Sequence, residues 1–325
     1  MGKRISHIDL ASGIMIVWLL YYHALYPMLG YDIFIKLPWL FFFMPWFFYK
    51  SGNLFNSRDE RQLLKGDIKK LIGNFIIWSL VGYICFIIHT LVIDHSITFR
   101  QAVYSPIRSL ILAGSIPLNS ALWFLPVLFF VRQIANIAIP RLKIIYICIL
   151  SVAIAIVIHF MQFKYLPLYI YNTAWGLFFF CSGFALKGYE EKPALIAISL
   201  LIVSFAIYYT DIPSVYKCED FISGKSYTLW FPVSVCGCII YNNVCKWMDD
   251  WVIPYSILKY IGRHSMVFYA AHYPIFRIVF DYVARYNSSW YGSWQGLLII
   301  TIAYIGIIFP LTWFIDIVKL RYHAK

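Results

Sequence analysis

The sequence predicts an all-α integral membrane protein, a bundle of about ten transmembrane helices with both termini in the cytoplasm. Three observations predict it. The chain is 62% hydrophobic, 20% aromatic and only 13% charged, where a soluble domain carries roughly 25% charged residues. Its apolar residues gather in runs long enough to cross ~30 Å of hydrocarbon at 1.5 Å per helical residue. Its Lys and Arg residues fall in alternate loops: seventeen lie at the N-terminus, around residues 55–70, near 141, 190 and 250–263, and at the C-terminus, against seven in the opposite loops. Cytoplasmic loops retain positive charge, so this asymmetry sets the orientation. The net charge of +12 therefore implies a lipid bilayer as partner, not nucleic acid. No stretch between the apolar runs is long enough for a soluble domain, so residues 1–325 read as a single transmembrane domain with none appended.

The spans fall near 8–28, 37–55, 71–93, 121–139, 143–161, 168–186, 193–210, 227–246, 262–283 and 295–318. Their even number agrees with termini on one side. The first follows a short basic region, as a signal peptide would, but its apolar run is too long and no small-residue cleavage site follows, so it reads as a retained anchor. It carries Asp9 at its start and His23 deep inside. Fourteen helical steps span about 21 Å and return to within about 40° of the same face. An ionisable group held in hydrocarbon is costly and marks a functional site. By position alone, His23 reads equally as a helix-packing hydrogen bond. Asp9 reads as a charge stabilising the helix N-terminus or as an organiser of nearby basic residues.

The second span, LPWLFFFMPWFFYKSGNLF, carries Pro45, read as a kink beside a cavity, and Lys50-Ser51-Gly52 near its end. Lys50 either snorkels to the headgroups or serves a site. The loop NSRDERQLLKGDIKK, with Lys69, reads as helical. It is either a solvated face or a set of cations for a phosphorylated ligand. The third span ends in His89, Asp94 and His95, and SPIRSLILAGSIP beyond it is too short to cross, so it reads as a partly buried outer segment. Trp123 opens the fourth span as an aromatic-belt residue or a carbohydrate-stacking face. His159 and Asn172 stand isolated and read as structural polar groups. The ninth span, IGRHSMVFYAAHYPIFRIVFDY, has Arg263 and His264 at its cytoplasmic start and His272 about 15 Å deeper. Arg277 and Asp281, four residues apart, face each other and neutralise one another, or serve a site. His272 touches a substrate or a proton path, or is structural. The seven cysteines show no metal-ligand spacing with histidine and read as small buried apolar residues, so no metal site is expected. No convincing internal repeat of the kind found in many secondary transporters is evident.

These residues, in this order, resemble the membrane acyltransferase 3 family, bacterial integral-membrane enzymes that O-acylate cell-surface and exported glycans. Arg4 and Ile8-Asp9, then Gly13 and His23, resemble its opening pattern. Phe47-Phe48-Tyr49-Lys50-Ser51-Gly52 is similar to its Phe-rich stretch ending in Ser-Gly, and Leu122-Trp123-Phe124-Leu125 to its Trp-Phe-Leu motif. Ile261-Gly262-Arg263-His264-Ser265 with His272-Tyr273-Pro274 is similar to its Gly-x-x-Ser segment followed by His-x-Pro. One position departs: Ser12 stands where the family usually has Arg or Lys before the glycine, leaving Arg4, Lys50, Lys69 or Arg263 to supply the cation. The resemblance implies an acyl-CoA co-substrate, usually acetyl-CoA, reached from the cytoplasm, with no permanently bound cofactor. It implies an acceptor hydroxyl on a glycan or lipid-linked sugar, and residence in the bacterial cytoplasmic (inner) membrane. His23 is then the general base, and Asp9 is a catalytic residue with it. Arg4, Lys50, Ser51, Lys69 and Arg263 bind the donor, and Trp123, His272 and Arg277 the acceptor. Transfer is direct or completed by a separate protein. Two rival readings stand beside it: a transporter or flippase of a lipid-linked sugar with the histidines as proton relay, and a catalytically dead scaffold, which Ser12 keeps open.

Overall fold

A computed structural model of the chain describes residues 5–29, 41–161, 167–210, 225–251, 256–290 and 292–323. Among them no strand is formed, only an isolated bridge between Ile116 and Asn119. The helices are α1 (Ser6–Leu29), α2 (Phe43–Asn53), α3 (Glu60–Asp67), α4 (Gly73–Asp94), α5 (Ser105–Ala113), α6 (Phe124–Ala138), α7 (Ile144–Met161), α8 (Leu168–Ala185), α9 (Pro193–Tyr209), α10 (Lys225–Trp251), α11 (Ser256–Arg263), α12 (Ser265–Tyr286) and α13 (Trp294–His323). Each of the ten expected stretches overlaps one of these helices. The polar 56–70 loop is helical, as expected: Asp59 caps α3 by accepting from the Arg61 and Gln62 amides, each at 3.1 Å. A π turn, Ile68–Ile72, then runs α3 into α4. The short outer segment forms α5, closed by Gly114 in the left-handed region at φ 64°.

Five helical stretches among the described residues are long and apolar enough to cross a membrane: Glu60–Ile93, Ser120–Ala138, Ile144–Met161, Tyr227–Asp250 and Trp294–Val318. The surface matches that solvent. Ile76, Ile77, Leu80, Ile84 and Ile88 of α4, Ile145 and Ile149 of α7, Leu201 and Phe205 of α9, and Leu298 and Ile302 of α13 all point outward. Asp9, Ser12, Asn119, Asn136, Asn172 and His272 are buried. A water-soluble fold inverts that arrangement, because exposed apolar patches of this extent are unfavourable in water and neutral in lipid.

Close backbone approach sets the packing around α1 and α2. A methyl group added to Gly13 of α1 would drive into the Leu258 carbonyl of α11, and one added to Gly262 of α11 into the Asp9 carbonyl of α1. The same reciprocal contact joins Gly52 of α2 to the Phe180 carbonyl of α8, and Gly183 of α8 to the Tyr49 carbonyl. Small residues let membrane helices meet backbone to backbone. Pro45 sits in the first turn of α2, where amides have no intrahelical partner.

Candidate functional site

The site is built where α1 meets α12. His23 of α1 and His272 of α12 bring their rings to 4.9 Å centroid separation, with Tyr273 5.6 Å from the His23 ring. His272 is fully buried. Its Nδ1 lies 2.5 Å from the Tyr269 carbonyl. A carbonyl only accepts, so Nδ1 carries the proton, and in the neutral ring Nε2 is a lone pair. That Nε2 is buried with no hydrogen-bond partner among the described residues.

The turn carrying His272 is held by an arrangement that proline makes necessary. Pro274 has no amide hydrogen, so the carbonyl four residues earlier, at Ala270, loses its helical donor. Asn119 fills the gap: its Nδ2 donates to the Ala270 carbonyl at 3.0 Å. The Tyr269 hydroxyl donates to the Ala121 carbonyl in the 3-10 turn Ser120–Trp123. Two bonds thus fasten α12 to the segment before α6, both at residues just ahead of His272. Asn119 was missed at the sequence level. Pro274 signals that a donor is needed, but nothing in the local pattern says which segment brings it.

Toward the start of α1 the charged residues meet. Asp9 is nearly buried, and its Oδ2 lies 3.5 Å from Arg263 Nε. It organises a basic residue, one of its two expected roles. Lys50 reaches across from α2 and donates from Nζ to Ser12 Oγ at 2.6 Å, while Ser12 donates to the Ile8 carbonyl at 2.6 Å. The Lys50 ammonium also stands 5.3 Å above the Trp46 ring. The Lys50 ammonium thus stands at the Ser12 hydroxyl. Ser51 is half-buried one residue further on. His264 joins this end to α13, its Nε2 2.8 Å from Asp316 Oδ2 and its Nδ1 2.9 Å from the Tyr260 carbonyl.

Other expected residues lie apart from this line. Lys69 is exposed on the π turn before α4. Nearby a polar cavity of about 470 Å³ is lined by Arg58, Arg61 and Arg141 together with Asp59 and Glu60. Arg277 Nε contacts Asp281 Oδ2 at 3.3 Å, and the same oxygen meets His89 Nε2 at 3.0 Å. Trp123 is half-buried and packs edge-on against Phe124 and Trp175. Arg4 lies outside the described residues. His159 is not isolated: its ring stacks on Tyr227 at 4.0 Å, and the Tyr171 hydroxyl lies 3.5 Å from its Nδ1. Asn172 accepts from Trp175 Nε1 at 2.9 Å. Among the described residues no group of His, Cys, Asp and Glu is arranged to hold a metal ion.

A second node, unread in the sequence, ties the helix ends together. Glu190, in the turn between α8 and α9, is nearly buried and accepts from Asn53 Nδ2 of α2 and, at 3.0 Å, from Asn242 Nδ2 of α10. Asn242 in turn accepts from Trp46 Nε1 at 2.8 Å. Burial pushes the Glu190 carboxyl above the ordinary glutamate range, and the hydrogen bonds it accepts oppose that shift. In sequence it is one of two adjacent acids in a charged turn, and only packing tells which of them faces inward.

The fold and site define a class: an all-helical membrane protein with polar and ionisable groups inside it, among them the fully buried His272 imidazole with the half-buried His23 beside it. The chain belongs to the acyltransferase 3 family, since the family model described as an acyltransferase domain matches residues 5–316, nearly the whole chain. No curated protein and no solved structure matches it.

Proposed function

We propose that the chain is an integral-membrane O-acyltransferase that moves an acyl group, acetyl in the simplest case, from cytoplasmic acyl-CoA to a hydroxyl of a cell-surface or lipid-linked glycan. The observation that carries this reading is the approach of His23 to His272, whose Nδ1 is committed to the Tyr269 carbonyl. Around it we propose ten crossings of the bacterial cytoplasmic membrane, with both termini inside. His23 is the general base. It takes the proton of the acceptor hydroxyl as that oxygen attacks the thioester carbonyl. The new C–O ester bond forms, the C–S bond breaks, and the imidazolium returns the proton to the leaving CoA thiolate. His272, with a free Nε2 lone pair, accepts a hydrogen bond from the acceptor alcohol.

Lys50 and Arg263, with Ser51, Lys69 and Arg4, serve the phosphates of the donor, since charge-assisted hydrogen bonds are the strong ones for such groups. Trp123 and Arg277 serve the glycan. No permanently bound cofactor takes part, and a separate protein completes the transfer if the final acceptor lies beyond the membrane. In cells, His23→Ala is expected to abolish acyl esters on the surface glycan, read by mass spectrometry, while protein level and polymer amount stay normal. Full ester content in the variant removes His23 from the mechanism, and loss of the polymer itself favours the flippase.

A further inference from the structure

A small cavity, separate from the ion pairs and from the imidazoles, lies between α1, α2 and α12. Ile16 and Leu19, Met44 and Phe47, and Met266 and Tyr269 supply its walls from those three helices. Ser265 is the one other polar residue on it. The Tyr269 hydroxyl is turned away to the Ala121 carbonyl, so the ring faces the space.

Its place along α1 is informative. Ser12, Ile16, Leu19 and His23 are spaced four, three and four residues apart, which puts them on one stripe of the helix over about 16 Å. The order along that stripe is a hydroxyl carrying the Lys50 ammonium, then the two apolar wall residues, then the imidazole. On α12, Tyr269 stands three residues before His272 and holds its Nδ1. The cavity therefore adjoins the imidazole pair on the side of the Lys50 cation. The reactants expected at that point are polar, a sugar and the amide-rich arm of CoA, except for one part, the acyl chain.

We propose that this cavity receives the acyl chain of the donor and limits its length. The proposal rests on the acyl-CoA reading above. The cavity measures about 70 Å³, more than a single buried water needs. On this proposal acetyl to butanoyl chains are accommodated and an octanoyl chain is not. With the thioester carbonyl at His23, the chain lies against Leu19 and Met266. Burying each added methylene in an apolar space is favourable until the space is full, and overpacking then costs more than burial gains.

The test measures the affinity of the full-length protein in nanodiscs for CoA, acetyl-CoA, butanoyl-CoA and octanoyl-CoA by isothermal titration. The expected result is that butanoyl-CoA binds at least as tightly as acetyl-CoA and that octanoyl-CoA binds at least tenfold more weakly. In Met266→Ala the octanoyl-to-acetyl affinity ratio rises at least tenfold. Ser265→Leu, which fills the space, lowers the butanoyl-to-acetyl ratio. Met44→Ala replaces Met266→Ala if that variant does not fold. Measurable binding of all four ligands, with chain-length ratios that neither the natural protein nor the variants alter, overturns the cavity assignment and leaves the donor reading intact. No binding of CoA or any ester overturns the donor reading, and the cavity assignment with it.

Discussion

Lys50 and Ser12 show how much one contact between helices changes the meaning of a residue. In the sequence Ser12 reads as a lost cation and Lys50 as a side chain that could equally snorkel. The 2.6 Å bond between them joins the two readings. If that ammonium serves the donor, Lys50→Met is expected to raise KM for acyl-CoA at least tenfold, with a smaller change in kcat, and Lys50→Arg to recover part of the loss; a tenfold change is about 1.4 kcal/mol. Steady-state kinetics on membranes checks the split between the two constants. Asn119→Ala leaves the Ala270 carbonyl without a donor in a buried setting, which costs roughly 1–3 kcal/mol and lowers the melting temperature. Asp9, His23, Lys50, Arg263 and His272 were legible as candidates because a charged or titratable group within a hydrophobic run stands out. Their partners were not, because pairing depends on contacts between helices far apart in sequence.

At the scale of elements, run length located a helix in each expected stretch, while end chemistry and packing decided its limits. The second span was read from 37 because its apolar run starts there, and α2 itself begins at Phe43, with Pro45 in its first turn. Residues 30–40 lie outside the described chain. The glycines carried a message the sequence left general. Gly13 and Gly262 meet the facing backbone between α1 and α11, and Gly52 and Gly183 do so between α2 and α8. Gly262→Ala and Gly183→Ala each force backbone apart, at a cost of about 1–3 kcal/mol or more. Gly66, inside α3 with open space around it, makes the contrast. There alanine is expected to be neutral or to stabilise by up to ~1 kcal/mol through helix propensity. Thermal unfolding of the detergent-solubilised variants, followed by size-exclusion fluorescence, compares the three.

Across the whole molecule, lipid outside and polar groups inside follow from one composition. Ile and Leu cover much of the surface, Phe fills much of the core, and polar residues close on one another within. Glu190 makes this test itself through pH. Its folded-state pKa lies above the unfolded value because of burial, so its contribution to stability is fully present below the ordinary glutamate value and is lost as pH rises through the raised one. As pH rises above the ordinary glutamate range the natural protein is expected to lose more thermal stability than Glu190→Gln; parallel melting curves would contradict that. The central claim is that His23, as general base, lets an alcohol reached from one side of the membrane take the acyl group of a thioester supplied from the other. The most direct measurement supplies acetyl-CoA labelled in the acetyl group to sealed inside-out vesicles carrying the natural protein or His23→Ala. The account predicts glycan-bound label protected inside vesicles of the natural protein and none in the variant. Equal label in both, or label that never leaves CoA, would contradict it.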